Sequence, residues 1–80
     1  MNQLLIKCGH ALYGVQWQAA LARDIGVADR TVRRWAAGDN VPSSVAMDLL
    51  RLTIERAAAL DDIANELRRV QTQESPGKRG

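Results

Sequence analysis

Apolar residues Leu5, Cys8, Leu12 and Val15 recur at intervals of three and four, so the start of the chain predicts an amphipathic helix ending near Tyr13-Gly14. Gly9 lies inside it and lowers its intrinsic helicity. Gln18 to Asp24 predicts a second helix that offers Leu21, Ala22 and Ile25 to a core, and Gly26 stops it because glycine takes the left-handed C-cap without steric cost. A turn follows directly. Asp29 is placed to cap a third helix through its carboxylate, and Val32 with Trp35, three residues apart, gives that helix a buried face before Ala36-Ala37-Gly38 ends it.

Asp39-Asn40-Val41-Pro42 reads as a loop, with Pro42 able to open the next helix and Ser43 or Ser44 available to cap it. No Gly or Pro occurs between Ser43 and Ser75, which predicts one long helix to about Thr72, with Asp61-Asp62 as the place where a bend or break could fall. No internal repeat and no strand pattern is present. The expected fold is all-α, a four-to-five-helix domain over residues 1–73 with a disordered tail at 74–80.

Size then narrows the picture. At 80 residues the chain is one domain, and a single core of this size supplies only ~3–5 kcal/mol unless something else supports it. A disulfide is excluded because Cys8 is the only cysteine. Cys8 and His10 make two metal ligands where a structural zinc site needs four, so no metal or other cofactor is expected. Self-association remains. Leu60, Ile63, Leu67 and Val70 are spaced 3, 4 and 3, as in the seam of a two-stranded coiled coil, although Arg56 and Thr53 make its upstream continuation polar. A helix from Ser43 to Thr72 would be ~45 Å long. Its end must project beyond a small body, and a second copy is the expected cover for an exposed apolar face.

Net charge is only +2, yet residues 29–38 hold Arg30, Arg33 and Arg34 against Asp29 alone. With Val32 and Trp35 turned inward, Asp29, Arg30, Arg33 and Arg34 are left on the outer face of the third helix. The whole stretch from Trp17 to Gly38 thus reads as two short helices joined by a glycine turn, with Ala22 small enough for a steep crossing and Ile25 and Val27 flanking the turn.

Through Gln18, Leu21-Ala22, Ile25-Gly26-Val27, Thr31-Val32, Trp35 and Gly38 this stretch resembles the helix-turn-helix of the Cro and phage-repressor type of transcriptional regulator. The resemblance covers about residues 4 to 45. It implies that the third helix enters the major groove of double-stranded DNA, with Asp29, Arg30, Arg33 and Arg34 at base-reading positions. Gln18 corresponds to a phosphate-holding glutamine, and Trp17, Thr31 and Asn40 fall where further phosphate contacts are expected. Three positions depart from the family pattern. Gln16-Trp17 stands where a Ser or Thr usually caps the first motif helix, Ala28 where a capping serine is common, and Asp29 where a neutral polar residue is usual. The Asp29 carboxylate must cap its helix, pair with Arg33 at i+4, or accept from a cytosine amino group.

The resemblance implies a homodimeric repressor of an inverted-repeat operator, autoregulatory in a phage or mobile-element operon. A reading from another class stays open: an antitoxin-like interaction or inhibitor module using the same scaffold without specific DNA binding. An enzyme is not expected, since paired carboxylates, a nucleophile with its base and a Gly-rich phosphate loop are all missing from the sequence. Nor is a small-molecule ligand. Met1-Asn2-Gln3-Leu4-Leu5-Ile6-Lys7 lacks the charge pattern of a signal peptide and no run is long enough for a membrane span, so the expected location is the cytoplasm, with no membrane partner.

Overall fold

The computed structural model describes residues 1–73 and is all-helical there; the tail expected at 74–80 lies outside the described residues. Four helices follow in order: α1 (Asn2–Tyr13), α2 (Trp17–Ile25), α3 (Asp29–Ala36) and α4 (Ser44–Gln73). The first three and the start of α4 enclose one core, in which Leu5, Leu21 and Val32 are completely buried and Trp17, Trp35, Val45 and Leu49 nearly so.

The turns explain themselves locally. Gly26 sits in the left-handed region at φ 79° and ψ 34°, where both its own N–H and that of Val27 donate to the Ala22 carbonyl. Ala22 is fully buried, as the close α2–α3 crossing requires. α1 ends at Tyr13-Gly14 as expected, with Gly14 at φ 88°; Val15, counted in the apolar period of that helix, is instead 83% exposed in the turn beyond it.

Gly9 has a role beyond helicity. It packs against the face of the Trp17 ring, and a Cβ built there would lie 2.1 Å from an indole carbon. The absence of a side chain is what lets α1 and α2 approach.

α4 is a single uninterrupted helix, without the break considered near Asp61-Asp62. Its first turn closes through Val45 N–H to the Pro42 carbonyl and Ala46 N–H to the Ser43 carbonyl; neither serine makes the expected side-chain cap. Its first half docks on α1. The Arg56 guanidinium donates to the Leu12 carbonyl at the end of α1 and lies 5.4 Å from the centre of the Tyr13 ring, while the Tyr13 hydroxyl donates to Asp24 on α2. Beyond Arg56 every residue to Thr72 is exposed except the half-buried Ala64, so ~25 Å of helix stands clear of the body. The protein measures 53 × 22 × 19 Å, its long axis drawn out by this arm.

The Tyr13 contacts have a titration signature. Burial first, then the hydrogen bond to Asp24 and its charge, push the phenol from 10.0 up to about 12, against the lowering pull of Arg56 and Arg51. A raised folded-state value means that this tie stabilises fully below pH 10 and is lost as pH rises towards about 12. Tyr13 is the only tyrosine, so ultraviolet absorbance reads it directly. The expected phenolate midpoint is near 12, lowered part of the way by Asp24→Asn because burial remains; a wild-type midpoint at 10 would show that the tie is absent in solution.

Candidate nucleic-acid interface

α3 has eight residues, and its two faces are chemically opposite. Val32 and Trp35 lie in the core, while Asp29, Arg30, Arg33 and Arg34 are all exposed on the outer side. Placing three guanidiniums on two turns of helix requires solvent or an anionic partner beside them, and α3 is anchored so as to offer them. Its inner face holds the core, and the Asn2 amide donates to the Ala36 carbonyl at its end, tying α3 back to α1.

The three arginines are not equivalent. Arg34 donates through Nε to Asp39 Oδ2 at 3.1 Å, and the Asp39 N–H donates back to the Arg34 carbonyl. Both side chains are more than half exposed, so this pair adds little stability. It fixes direction instead. With Nε occupied, the two terminal nitrogens of Arg34 remain as its fork. Arg30 and Arg33 make no ion pair among the described residues and keep all five donors for a partner.

Asp29 departs from two of its expected roles. The residue in the cap position is Ala28, with extended dihedrals, and α3 begins at Asp29 with no side-chain cap. Nor does Asp29 pair with Arg33, so its carboxylate stays free in the first turn, where the helix dipole favours it.

The expected phosphate contacts differ in exposure. Asn40 is exposed in the loop after α3, and Thr31 and Gln18 are half-buried near the starts of α3 and α2. Trp17, placed by the resemblance at a phosphate contact, has its ring in the core: it is 3% exposed, walled by Gly9 and tilted against His10. Its indole N–H makes no hydrogen bond among the described residues, where no buried side-chain nitrogen or oxygen lacks a partner either, so that N–H reaches the surface. Gln16, before α2, provides no side-chain cap, leaving the first N–H groups of α2 open to an acceptor.

Leu60, Ile63, Leu67 and Val70 are 58, 53, 63 and 49% exposed on the free arm of α4. They therefore form no part of the protomer's core. Asp39 and Arg56 escaped the sequence reading; an acid directly after the Gly38 turn was the available signal for Asp39, and Arg56 was noted only as an interruption of the seam. No group of His, Cys, Asp and Glu among the described residues could hold a metal ion. No helix described is long and apolar enough to cross a membrane.

Comparison of the chain with protein-family models, with curated proteins and with solved structures returns no match.

Proposed function

We propose that this protein is a sequence-specific DNA-binding regulator of the Cro and phage-repressor type, acting in the cytoplasm as a homodimeric repressor on an inverted-repeat operator. The observation that carries the reading is the outer face of α3, where Arg30 and Arg33 stand exposed and unpaired and Arg34 is aimed by Asp39, on a helix held rigidly from behind by Val32 and Trp35. A planar guanidinium presents two donors at the spacing of guanine O6 and N7. The free Asp29 carboxylate suits a cytosine amino group beside them. The uncapped start of α2, together with the polar side chains of Gln18, Thr31 and Asn40 and the Trp17 N–H, supports a set of phosphate contacts that would fix register. The exposed apolar arm of α4 supports pairing with a second copy.

The test is selection of bound sequences from a random DNA pool, followed by titration of variants. Arg30→Ala and Arg33→Ala are expected to weaken operator binding by about 10- to 100-fold, from ~1–3 kcal/mol per lost bidentate contact, with much smaller losses on scrambled DNA. Gln18→Ala should weaken both alike. Wild-type affinity should fall steeply with salt, as it does when several phosphates are neutralised.

The free Asp29 carboxylate also favours a second reading, in which the same scaffold serves as an antitoxin-like interaction module without specific DNA binding, since a carboxylate at the head of α3 repels phosphate. No enriched motif together with a flat salt response would select that reading instead.

A further inference from the structure

The docking of α4 on α1 shifts the register in which its apolar stripe is available. Leu49 is buried and Arg56 is bonded to α1, so the upstream positions of the 3, 4, 3 seam are already occupied within the protomer. The neighbouring stripe is open along the helix, with only Thr53 and Ala64 half-buried. It runs through Leu50, Thr53, Ala57, Leu60, Ala64 and Leu67, at alternating spacings of three and four, without a single charge. Thr53 does not interrupt it, because its hydroxyl lies within hydrogen-bonding distance of the Leu49 and Leu50 carbonyls of its own helix, which leaves the methyl as its outward group. Where the stripe crosses the body it becomes a groove of about 330 Å³, closed on the far side by Met1 and by Leu4 and Cys8 of α1. One chain thus carries a bare apolar ridge, the free arm of α4, and an open apolar groove, between α1 and α4.

We propose that the occupant of this groove is the α4 arm of a second copy, lying antiparallel, so that each protomer's arm fills its partner's groove. The inference rests on the dimeric reading above and adds the surface, the direction and the register. Two observations fix the direction. First, antiparallel pairing lays the arm of one copy against the half of α4 that borders the groove of the other, with Leu60 against Ala57, Ala64 against Thr53 and Leu67 against Leu50. Parallel pairing would set arm against arm and leave both grooves empty. Second, antiparallel pairing brings Leu67 and Val70 of one copy to the level of Met1 and Leu4 of the other, so both exposed sets are covered at once. The area suffices: Met1, Leu4, Leu50, Leu60, Leu67 and their neighbours, each about half exposed, present on the order of 700 Å² per copy at roughly 100 Å² apiece, close to the ~800 Å² per partner of a standard interface.

Disulfide trapping in a Cys8→Ser background tests this without DNA, so its outcome is independent of whether α3 reads bases. Positions 50 and 67 of one chain are ~25 Å apart along α4, too far for a disulfide within a chain. The double variant Leu50→Cys, Leu67→Cys should run almost wholly as a covalent dimer on a non-reducing gel after mild oxidation. Each single variant should stay monomeric there, and an equimolar mixture of the two singles should give the cross-linked pair. Self-linking of either single variant as efficiently as the mixture would overturn the direction. A failure of the double variant to cross-link, with wild type sedimenting as a monomer at roughly 100 µM, well above the dissociation constant of a specific homodimer, would overturn the interface.

Discussion

Leu60→Arg is expected to convert the protein to a monomer and to lower operator affinity by at least about 100-fold, the largest functional effect of any single substitution outside α3. In the protomer Leu60 is 58% exposed on a free helix, and arginine is as good a helix former, so the variant should fold with unchanged circular dichroism. In a dimer the same change inserts two guanidiniums into an apolar seam, a penalty of several kcal/mol that nothing there offsets. The collapse on DNA follows from geometry. Two reading helices must stand ~34 Å apart to enter successive turns of the major groove, and a lone protomer keeps one half-site. Sedimentation read beside a DNA titration decides the matter. A variant that remains dimeric would move the interface off this face; one that is monomeric yet binds the operator undiminished would remove the dimer from the mechanism.

Gly9→Ala should have the largest effect on stability, and its sign separates two physical accounts. From helix propensity alone, alanine in the middle of α1 stabilises by ~0.8–1 kcal/mol. The packing argues the reverse. A methyl at Gly9 would lie 2.1 and 2.3 Å from two carbons of the Trp17 ring, and Trp17 is buried with no room to withdraw. Overpacking of this kind costs typically ~1–3 kcal/mol, which in a domain this small lowers the melting temperature by roughly 5–20 °C. Thermal unfolding of the variant gives the answer directly: a rise in melting temperature would mean that α1 and α2 do not meet through Gly9.

Leu21, Ala22, Val32 and Trp35 were legible in the sequence because each is fixed by a local period and a nearby turn, and all four lie in the core. The end of α2 at Gly26 was legible for the same reason. Val15 was misread because a period counts apolar positions without testing burial, and this one falls past the helix end at Tyr13-Gly14 that was itself legible. Gly9 was underread because propensity is a property of one helix, whereas its role is set by Trp17 on another. The candidate site divides along the same line. Which residues face outward from α3 followed from spacing; that Asp39 holds Arg34, and that Asp29 caps nothing, depends on where the chain turns after each helix. The free stripe of α4 could not be chosen from the sequence at all. It is defined by what α1 already covers, through Arg56 and a carbonyl 44 positions away.

The unbroken course of α4 makes it a ruler with a phase. Between Arg56, which fixes the helix to the body, and Leu60, where the free arm begins to present its apolar side, there is neither glycine nor proline to absorb a change of length. Removing one residue there would turn the whole arm by ~100° relative to the body and withdraw it by ~1.5 Å, carrying the apolar side away from the line of the groove. Inserting seven would restore the facing within ~20° while lengthening the reach by about 10 Å. Length changes in this segment are therefore quantised: descendants of this chain can vary the arm by whole heptads, or keep it fixed, while the body and the arm evolve otherwise independently on either side of Arg56.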